Sequence, residues 1–553
     1  MLMFAPVPST PIPPVPVPSA PADAPPPGAS TQVDVLVVGG GINGAGIARD
    51  LAGRGLQVLL CEQDDLARHT SSSSTKLIHG GLRYLEYYEF SLVKKALAER
   101  ELLLKSAPHI MWPLRFVMPH DPSMRPVWMV RIGLFLYDHL AKREWLPAST
   151  TVSLRSHPIG APLKPGYTRG FVYSDGWVDD ARLVVLNALD AQAHGATILT
   201  RCRCESAQRT PQGWLATLQP AGGVPLQVQA RALVNAAGPW TGEFLRERAG
   251  QTSARALRLV KGSHIVVKKL FDHDHAYIFQ NPDKRIIFAI PYEGDFTLIG
   301  TTDVEIHGAP DAARIDADEV AYLCDQASRY FAKPVRPADV VWAYAGVRPL
   351  LDDASGDASA VTRDYLLEFD NDATAPLLSV WGGKITTFRK LAEEAADGLV
   401  QRLGERRPAW TAPALLPGGD LSAWIGPARR PDLDIERFIA ELARRHPVLP
   451  AALIRRWARC YGALVAQLLD GGDLGAEVAP GLYEAELSYL HRHEWARSAD
   501  DVLWRRTKLG LHYSPAQREQ VARWWAAHMA EAPALPALPT QPTLPTTQEP
   551  ACS

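Results

Sequence analysis

The segment from Asp34 to Glu62 constrains the fold of this chain more than any other. It reads DVLVVGGGINGAGIARDLAGRGLQVLLCE: an apolar run, a glycine cluster, an alanine-rich stretch, a second apolar run and a carboxylate. This order predicts a βαβ unit that binds a dinucleotide. Gly39 permits a tight turn, Gly41 lets the backbone approach a pyrophosphate at the helix N-terminus, and Gly44 lets helix and strand pack closely. Glu62 is predicted to accept a hydrogen bond from a ribose hydroxyl. The alternative is a glycine-rich turn in another α/β domain.

Length and composition exclude several classes of protein. With 553 residues the chain is too long for one hydrophobic core, so two or three domains are expected. The net charge of −2 provides no basic field that would recruit nucleic acid. Six cysteines without CxxC spacing argue against a metal site or disulfides and suit a reducing cytosol. No window reaches the roughly 18 apolar residues that a spanning helix needs, so the chain is predicted not to cross a membrane.

Changes in sequence pattern predict the domain organisation. Short apolar runs between 261 and 303, separated by polar turns, predict an antiparallel lobe inserted into the cofactor domain. Glycine-bearing strand or helix ends at Gly238 and Gly382–Gly383 return the chain to that domain, and the sequence after Leu415 reads as helices. The predicted ranges are disordered proline-rich tails at 1–31 and 532–553, a discontinuous cofactor domain at 32–110, 170–260 and 345–405, a substrate lobe at 111–169 and 261–344, and a C-terminal helical domain at 406–531.

Further blocks of sequence resemble one family of flavoenzymes. They include SSTKLIHGGLRYLE, YSDGWVDDARL, VNAAGPW, LVKGSHIVV, GVRPL, TRDY, GGKITTFRKLAE and HEWARSADDVLWRRTKLG. Between its tails the chain resembles the FAD-dependent, quinone-linked (aerobic) glycerol-3-phosphate dehydrogenases. The resemblance implies an α/β fold with a glutathione-reductase-like, Rossmann-type FAD-binding domain, the inserted substrate lobe and a C-terminal α-helical domain. FAD rather than NAD has separate support, because the sequence lacks a second complete fingerprint for a nicotinamide dinucleotide.

The resemblance also implies an activity and a location. The expected reaction is oxidation of sn-glycerol 3-phosphate to glycerone phosphate in glycerol catabolism, by hydride transfer to flavin N5. The electrons would pass to a membrane quinone, from a cytoplasmic enzyme on the inner face of the plasma membrane. The identity of the quinone and the existence of a homodimer stay open. Two alternatives remain: an oxygen-using oxidase of the same clan, acting on glycerol 3-phosphate or an amino acid, and a non-catalytic flavin-binding scaffold.

Binding a substrate phosphate calls for clustered cations, and arginine is favoured because its fork meets two phosphate oxygens at once. By resemblance, the positions that match the family's substrate contacts are Arg83, Tyr84, Arg348, Arg363 and Lys384. They come from separated segments beside glycine, proline or turn residues. The alternative for each arginine is an ion-paired or surface side chain, and Asp364 keeps this open for Arg363.

His264, in KGSHIVV, is the candidate general base for the C2 hydroxyl. A neutral imidazole, with an ordinary pKa of about 6.5, can accept a proton near neutrality. The alternative is a structural histidine, with deprotonation by water or through a hydroxyl polarised by Arg348, the second catalytic candidate. Thr301, Thr302 and Asp303 form a turn predicted to lie near the site or to have a structural capping role.

The predicted cofactor contacts are glycine-rich ends and a Ser/Thr loop. The helix opening near Gly383 is expected to direct its positive end at the flavin pyrimidine ring, where it would stabilise negative charge at N1. By resemblance, the serine run and Lys76 would lie over the flavin pyrophosphate or ribityl chain. The full set is Gly39, Gly41, Ile42, Asn43, Gly44, Glu62, Thr70, Ser71, Ser72, Lys76, Leu77, His79, Gly238, Gly383, Lys384 and Thr386. No metal ligand is predicted.

Two basic segments are predicted to lie at surfaces or domain contacts. RPVWMVRIGLFLYDHL, from 125 to 140, predicts an amphipathic helix for membrane docking. Basic side chains would contact anionic headgroups while apolar ones enter the interface: Arg125, Arg131, Lys142 and Arg143 against Trp128, Leu134 and Phe135. The alternative is a helix packed on the FAD domain. WRRTK, from 504 to 508, is predicted to be a solvated or domain-contacting basic face.

Overall fold

The computed structural model describes residues 31–529 except 122–124, 254, 284, 353–363 and 371–374. The strands in this part of the chain are β1 (Thr31–Val38), β2 (Val58–Cys61), β3 (Leu77–Ile78), β4 (Met111–Pro119), β5 (Thr150–Ser153), β6 (Arg169–Val178), β7 (Thr197–Leu199), β8 (Cys202–Thr210), β9 (Gly213–Pro220), β10 (Leu226–Asn235), β11 (Leu257–Lys268), β12 (Ala276–Gln280), β13 (Ile286–Tyr292), β14 (Phe296–Gly300), β15 (Val304–Glu305), β16 (Val340–Leu351), β17 (Tyr365–Phe369), β18 (Leu377–Gly382), β19 (Glu477–Ala479) and β20 (Leu482–Tyr483). The α-helices are α1 (Ile42–Gly53), α2 (Phe90–Ser106), α3 (Val127–His139), α4 (Asp180–Ala193), α5 (Thr241–Glu243), α6 (Ala317–Tyr330), α7 (Phe388–Arg402), α8 (Ser422–Ile425), α9 (Pro431–Arg445), α10 (Ala451–Tyr461), α11 (Val465–Leu469), α12 (Glu484–His493) and α13 (Pro515–His528).

The first sheet contains the predicted dinucleotide fold. Its strand order is β17-β18-β10-β1-β2-β7, and the β8–β9 hairpin joins it through β10. Strand β1 pairs in parallel with β2 and β10. Both faces of β1 are buried, because Val35 and Val37 face the helices while Leu36 faces the cluster that includes the β8–β9 hairpin. Burial on both faces explains the nearly continuous apolar run of this strand. The predicted Rossmann-type domain is confirmed.

Helix α1 packs between α4 and α7 on this sheet. Most of its residues are buried, because its small glycine and alanine side chains let the neighbouring helices pack close to its backbone. A β-carbon at Gly46, for example, would come within 2.9 Å of the Phe388 ring in α7. The small side chains therefore fix the helix, with its N-terminus at the end of β1.

The second sheet forms the predicted substrate lobe. Its order is β15-β11-β14-β13-β12-β4-β6-β3, with β16 beside β11 and β5 beside β6. Within the described residues its pairings are antiparallel except that of β12 with β4. The predicted boundaries need correction, because β3, β6 and all of β16 pair in this sheet rather than the first. Strand β6 is buried along almost its whole length, as a central parallel strand would be, so its pattern does not tell which sheet it joins.

The C-terminal region consists of helices α8 to α13 and the small β19–β20 hairpin. Its apolar residues belong to the same core cluster as those of α1, α4 and α7. Arg182 in α4 pairs with Glu494, and both side chains are 0% exposed. Arg506 donates two hydrogen bonds to Asp65, at 2.9 and 2.8 Å. Separating buried ion pairs costs several kcal/mol, so these contacts hold the C-terminal domain on the cofactor domain. The WRRTK segment is thus a domain contact.

Helix α3 is amphipathic, as predicted, and its exposed apolar face includes two of the three predicted apolar residues. Trp128, Ile132 and Phe135 are 61%, 52% and 59% exposed and follow helical spacing along one side. Leu134 was predicted to enter a membrane interface, but it is buried with Tyr137 on the opposite side. Among the described residues, no helix combines the length and apolar character needed to cross a bilayer.

Candidate active site

A cavity of about 390 Å³ is lined by residues from both sheets. The first sheet contributes the ends of β1, β2, β10 and β18, and the second contributes β11 and β16. Most of the predicted cofactor contacts line this one cavity: Gly39, Gly41, Ile42, Asn43, Glu62, Thr70, Ser71, Leu77, His79, Gly238, Gly383, Lys384 and Thr386. The predicted substrate residues Tyr84, His264, Arg348 and Lys384 line it too.

The glycine cluster forms a cradle at the N-terminus of α1. Gly39 has a φ of +114°, which favours glycine, and the chain turns there from β1 toward the helix. A β-carbon at Gly41 would meet only the Ser71 hydroxyl, at 3.2 Å, so the backbone at Gly41 is open to the cavity. The Ile42 N–H donates to Ser71 Oγ at 3.0 Å. A helix N-terminus that faces a cavity favours an anion, so a dinucleotide pyrophosphate fits here.

Gly44 has the packing role that its spacing predicted, and it does not itself line the cavity. A β-carbon there would overlap the carbonyl oxygen of Gly39. We expect Gly44→Ala to destabilise the protein by about 1–3 kcal/mol, because the helix must move off the strand, and to lower the cofactor content. Urea unfolding and the ratio of bound dinucleotide to protein measure the two effects. Gly133→Ala in α3 is the matched control, since its β-carbon would meet nothing within 4 Å. Equal stability and cofactor content in the two variants would contradict this role.

Glu62 lies at the end of β2, where the dinucleotide fold places a ribose. Its carboxylate accepts hydrogen bonds from the backbone N–H groups of Gly40, at 2.6 Å, and Asp64, at 2.8 Å. Burial raises the pKa of Glu62, and these two donors oppose that shift. A carboxylate has lone pairs beyond these two bonds, so Glu62 can still accept from a ribose hydroxyl.

The β18–α7 connection closes the other end of the cradle. Gly382 and Gly383 have φ values of +73° and +101°, and Asn43 Nδ2 donates to the Gly382 carbonyl at 3.2 Å. The helix that was predicted to open near Gly383 begins as a 3-10 turn, Ile385–Thr387, and α7 starts at Phe388. Lys384 precedes the turn, and its Nζ lies 3.7 Å from the centre of the Tyr84 ring. The sharp turn thus places a cation on the cavity wall.

His264 lies in β11 and is almost fully buried. A hydrogen bond of 2.9 Å joins its Nε2 to Thr75 Oγ1. Its Nδ1 is buried without a hydrogen-bond partner among the described residues. Burial, followed by the charges of Arg348 and Lys76, lowers the pKa of His264 well below its ordinary value. The imidazole is therefore neutral at physiological pH and can accept a proton.

Arg348 in β16 faces the same cavity. It pairs with Asp303 and donates to Thr301 Oγ1 at 3.0 Å and to the Thr302 carbonyl at 2.8 Å. These contacts fix the plane of the guanidinium. The turn from 301 to 303 therefore lies near the site, as one of its two predicted roles required, and it holds the Arg348 side chain in place. Arg348 is therefore ion-paired, as the alternative interpretation proposed, and it also lines the cavity.

Several predicted contacts do not line the cavity. Arg83 lies on the 3-10 turn Leu82–Tyr87 and donates to the Tyr87 hydroxyl at 3.3 Å. Adjacent residues of such a turn point about 120° apart, so Arg83 points away from the cavity when Tyr84 points into it. Lys76 is buried on Asp180, at 2.8 Å, and donates to the Ser72 carbonyl instead of covering the cofactor site. Ser72 is likewise outside the lining. Arg363 lies outside the described residues, so phosphate binding by Arg83 and Arg363 stays a prediction.

Sequence reasoning missed two residues that contact His264. Thr75 lies within the quoted Ser/Thr run, but nothing local indicates that it reaches a residue 189 positions away. The Tyr344 ring stacks on the imidazole, with centroids 4.8 Å apart and planes 12° apart. Tyr344 could have been found from strand alternation, since it precedes Arg348 by four positions and lies on the same face of β16.

A dinucleotide cradle that shares one cavity with the buried neutral His264 and with Arg348 and Lys384 is typical of a nucleotide-dependent oxidoreductase. Comparisons with known proteins agree: residues 34–389 match the family described as FAD dependent oxidoreductase. Residues 409–532 match the C-terminal domain of alpha-glycerophosphate oxidase. The chain belongs to the FAD-dependent glycerol-3-phosphate dehydrogenase family, which confirms the resemblance and identifies the cofactor as FAD.

The similar proteins support this assignment over most of their length. A glycerol-3-phosphate dehydrogenase of Pseudomonas aeruginosa is 53% identical over 89% of this chain and 94% of its own. The aerobic glycerol-3-phosphate dehydrogenase of Escherichia coli is 50% identical over 89% and 97%. A D-erythritol 1-phosphate dehydrogenase of Brucella abortus is 49% identical over the same shares. The crystal structure of a glycerol-3-phosphate dehydrogenase from Bacillus halodurans with FAD is 28% identical, with a TM-score of 0.71 over 90% of this chain and 91% of that one.

Proposed function

We propose that this chain oxidises sn-glycerol 3-phosphate to glycerone phosphate. One observation carries the proposal: the cavity that contains the glycine cradle also contains His264, Arg348 and Lys384. The identity of about half of all aligned positions with glycerol-3-phosphate dehydrogenases supports the same substrate. An amino-acid substrate would need one cation for a carboxylate beside an apolar pocket, whereas Arg348 and Lys384 together suit a phosphate dianion.

Different residues of the cavity would bind the substrate and accept its proton. When bound, FAD supplies the hydride acceptor. Arg348 and Lys384 orient the substrate through its phosphate and hydroxyl groups. His264 takes the proton of the substrate hydroxyl, and its hydrogen bond to Thr75 Oγ1 holds the orientation of the ring. The burial of His264 excludes water and keeps the imidazole neutral before the reaction.

Anaerobic reduction of the purified protein tests this function. Glycerol 3-phosphate should bleach the visible flavin absorbance, while glycine should leave it unchanged. D-Erythritol 1-phosphate is the informative comparison, because a relative with that substrate is 49% identical. Faster reduction by D-erythritol 1-phosphate at equal concentration would reassign the substrate, and no reduction by either phosphate would leave the scaffold alternative. Reoxidation by a ubiquinone analogue that is much faster than reoxidation by oxygen would favour a dehydrogenase over an oxidase.

We further propose that the chain works in the cytoplasm, attached to the inner face of the plasma membrane, and passes electrons to a quinone there. The exposed Trp128, Ile132 and Phe135 of α3 support this, because aromatic and aliphatic side chains on one helix face can enter the headgroup boundary. Arg131 and Lys142 are exposed nearby and suit anionic headgroups. Arg143 is held by Asp138 at 2.9 Å, and Arg125 lies 3.5 Å from Glu86.

Vesicle binding tests the role of this helix. The double variant Trp128→Ser, Phe135→Ser should bind anionic phospholipid vesicles at least about tenfold more weakly than the unchanged chain, because burying one aromatic side chain is worth roughly 1.5–3 kcal/mol. Co-sedimentation measures the binding. Leu433→Ser is the control, since Leu433 is also exposed but lies in the C-terminal domain. Equal sedimentation of the two variants would exclude α3 as the docking surface.

A further inference from the structure

Four rings form a continuous stack from the C-terminal domain to the active site. Trp504, near the end of the π-helical turn Asp501–Arg506, stacks on Trp342 of β16, with centroids 4.7 Å apart and planes 17° apart. Trp342 contacts Tyr344 at 5.0 Å and 40°. Tyr344 in turn stacks on His264 at 4.8 Å and 12°. A residue of the C-terminal domain therefore reaches the candidate base through two intermediate rings.

The stack follows from the geometry of β16. Residues at alternate positions of a strand point to the same side, so Trp342, Tyr344 and Arg348 share one face. Tyr344 is tied further by its hydroxyl, which donates to the Ser74 carbonyl at 2.8 Å. A shift of Trp342 along this face is therefore transmitted to the tyrosine ring, since closely packed side chains cannot move independently.

His264 depends on the tyrosine for its position. Thr75 holds Nε2 at the edge of the ring, and a β-carbon at Gly300 would overlap the imidazole. The face of Tyr344 packs against the flat side of the imidazole and supports it as well. If that ring moves away, the imidazole is free to tilt toward it, and the lone pair that must meet the substrate hydroxyl turns with it.

Trp504 is itself firmly placed. The Arg518 guanidinium lies 5.3 Å from the centre of its ring, and a β-carbon at Gly510 would come within 2.8 Å of the indole. The same segment is anchored to the cofactor domain by Arg506 on Asp65 and by Lys508, whose Nζ lies 3.2 Å from Asp179 Oδ1. The indole is thus fixed relative to both sheets.

We propose that Trp504 is a positioning residue for His264, so that the C-terminal domain completes the active site through the stack Trp504–Trp342–Tyr344–His264. The inference rests on the proposed role of His264 as the base. It gives the C-terminal domain a part in the reaction, beyond its contribution to stability.

Stopped-flow reduction of the flavin-loaded protein tests the inference. Trp504→Leu should lower the limiting rate of flavin reduction by about tenfold, because a displacement of 1 Å at a reacting group can cost about 100-fold. Trp504→Phe should recover most of the rate, since it restores a ring at the same place. The dissociation constant for glycerol 3-phosphate should stay within about twofold, because Arg348 and Lys384 are unchanged. Trp524→Leu is the control: Trp524 is half-buried in α13 and stacks on His528 instead.

A double-mutant cycle separates transmission from a merely structural effect. Tyr344→Leu should slow reduction by itself, and adding Trp504→Leu should slow it no further, because both changes break one path. Independent effects that multiply, or a Trp504→Leu protein with the original limiting rate, would overturn the inference. If Trp504→Leu does not yield flavin-loaded protein, Trp504→Met fills the same space flexibly and should show the same slow rate. Failure of the proposed function is distinguishable, because the unchanged chain would then not be reduced by glycerol 3-phosphate.

Discussion

Replacing His264 with glutamine should lower the limiting rate of flavin reduction by roughly 100- to 10,000-fold, the usual contribution of a general base. Glutamine keeps a polar side chain of similar size beside Thr75 but cannot accept a proton at neutral pH. Substrate affinity should change much less, since the phosphate contacts remain. Anaerobic stopped-flow at saturating glycerol 3-phosphate measures the limiting rate directly.

His491→Gln is the matched control, because His491 is also buried and hydrogen-bonded but lies in α12, outside the cavity lining. An unchanged limiting rate in His264→Gln would leave water or an Arg348-polarised hydroxyl as the route for the proton. That result would make His264 a structural residue, the alternative that its sequence position also allowed.

The pH dependence of the unchanged chain should follow from the same residue. Burial and the nearby Arg348 and Lys76 charges hold the pKa of His264 well below 6.5. Because the neutral imidazole is the active form, the limiting rate should stay flat as the pH falls through 6.5 and decline only at lower pH, near the pKa in the folded protein. A rate that falls by half close to pH 6.5 would show that the base titrates as an exposed histidine does.

Replacing Arg348 with alanine should weaken binding of glycerol 3-phosphate by about 1.5–3 kcal/mol, or roughly 10- to 150-fold, the range for a hydrogen bond to a charged group. The loss has a second cause, since Asp303 then keeps its negative charge beside the phosphate without its partner. The dependence of the reduction rate on substrate concentration gives the dissociation constant.

Two further variants make this result specific. Arg348→Lys should recover only part of the affinity, because an ammonium keeps the charge but lacks the planar fork. Arg329→Ala, which removes an exposed arginine on α6 of the same lobe, should leave the affinity unchanged. If Arg348→Ala binds glycerol 3-phosphate as tightly as the unchanged chain, Lys384 or a residue outside the described part of the chain must hold the phosphate.

The sequence was sufficient for the features that depend on local geometry. The spacing of Gly39, Gly41 and Gly44 fixes the turn, the open backbone and the close helix packing, and each was found as predicted. Glu62 followed from its distance along the βαβ unit. The apolar patterns also identified two sheets and a helical C-terminal region. They did not assign β6 to a sheet, because a strand buried on both faces has the same pattern in either one. The predicted boundary at 345 also divided β16, most of whose residues are only partly buried.

Only the tertiary structure decided which side chains meet. The bond between His264 and Thr75 joins positions 189 residues apart, and no local pattern predicts such a pair. Lys76 was expected at the cofactor, but its ammonium is buried on Asp180, because a charge taken out of water needs an opposite charge beside it. The WRRTK segment read only as a basic surface or a domain contact, yet its tryptophan stacks on the strand that supports the active-site histidine. Local spacing determines backbone conformation, whereas the environment of a side chain depends on packing between distant segments, and here that packing completes the site.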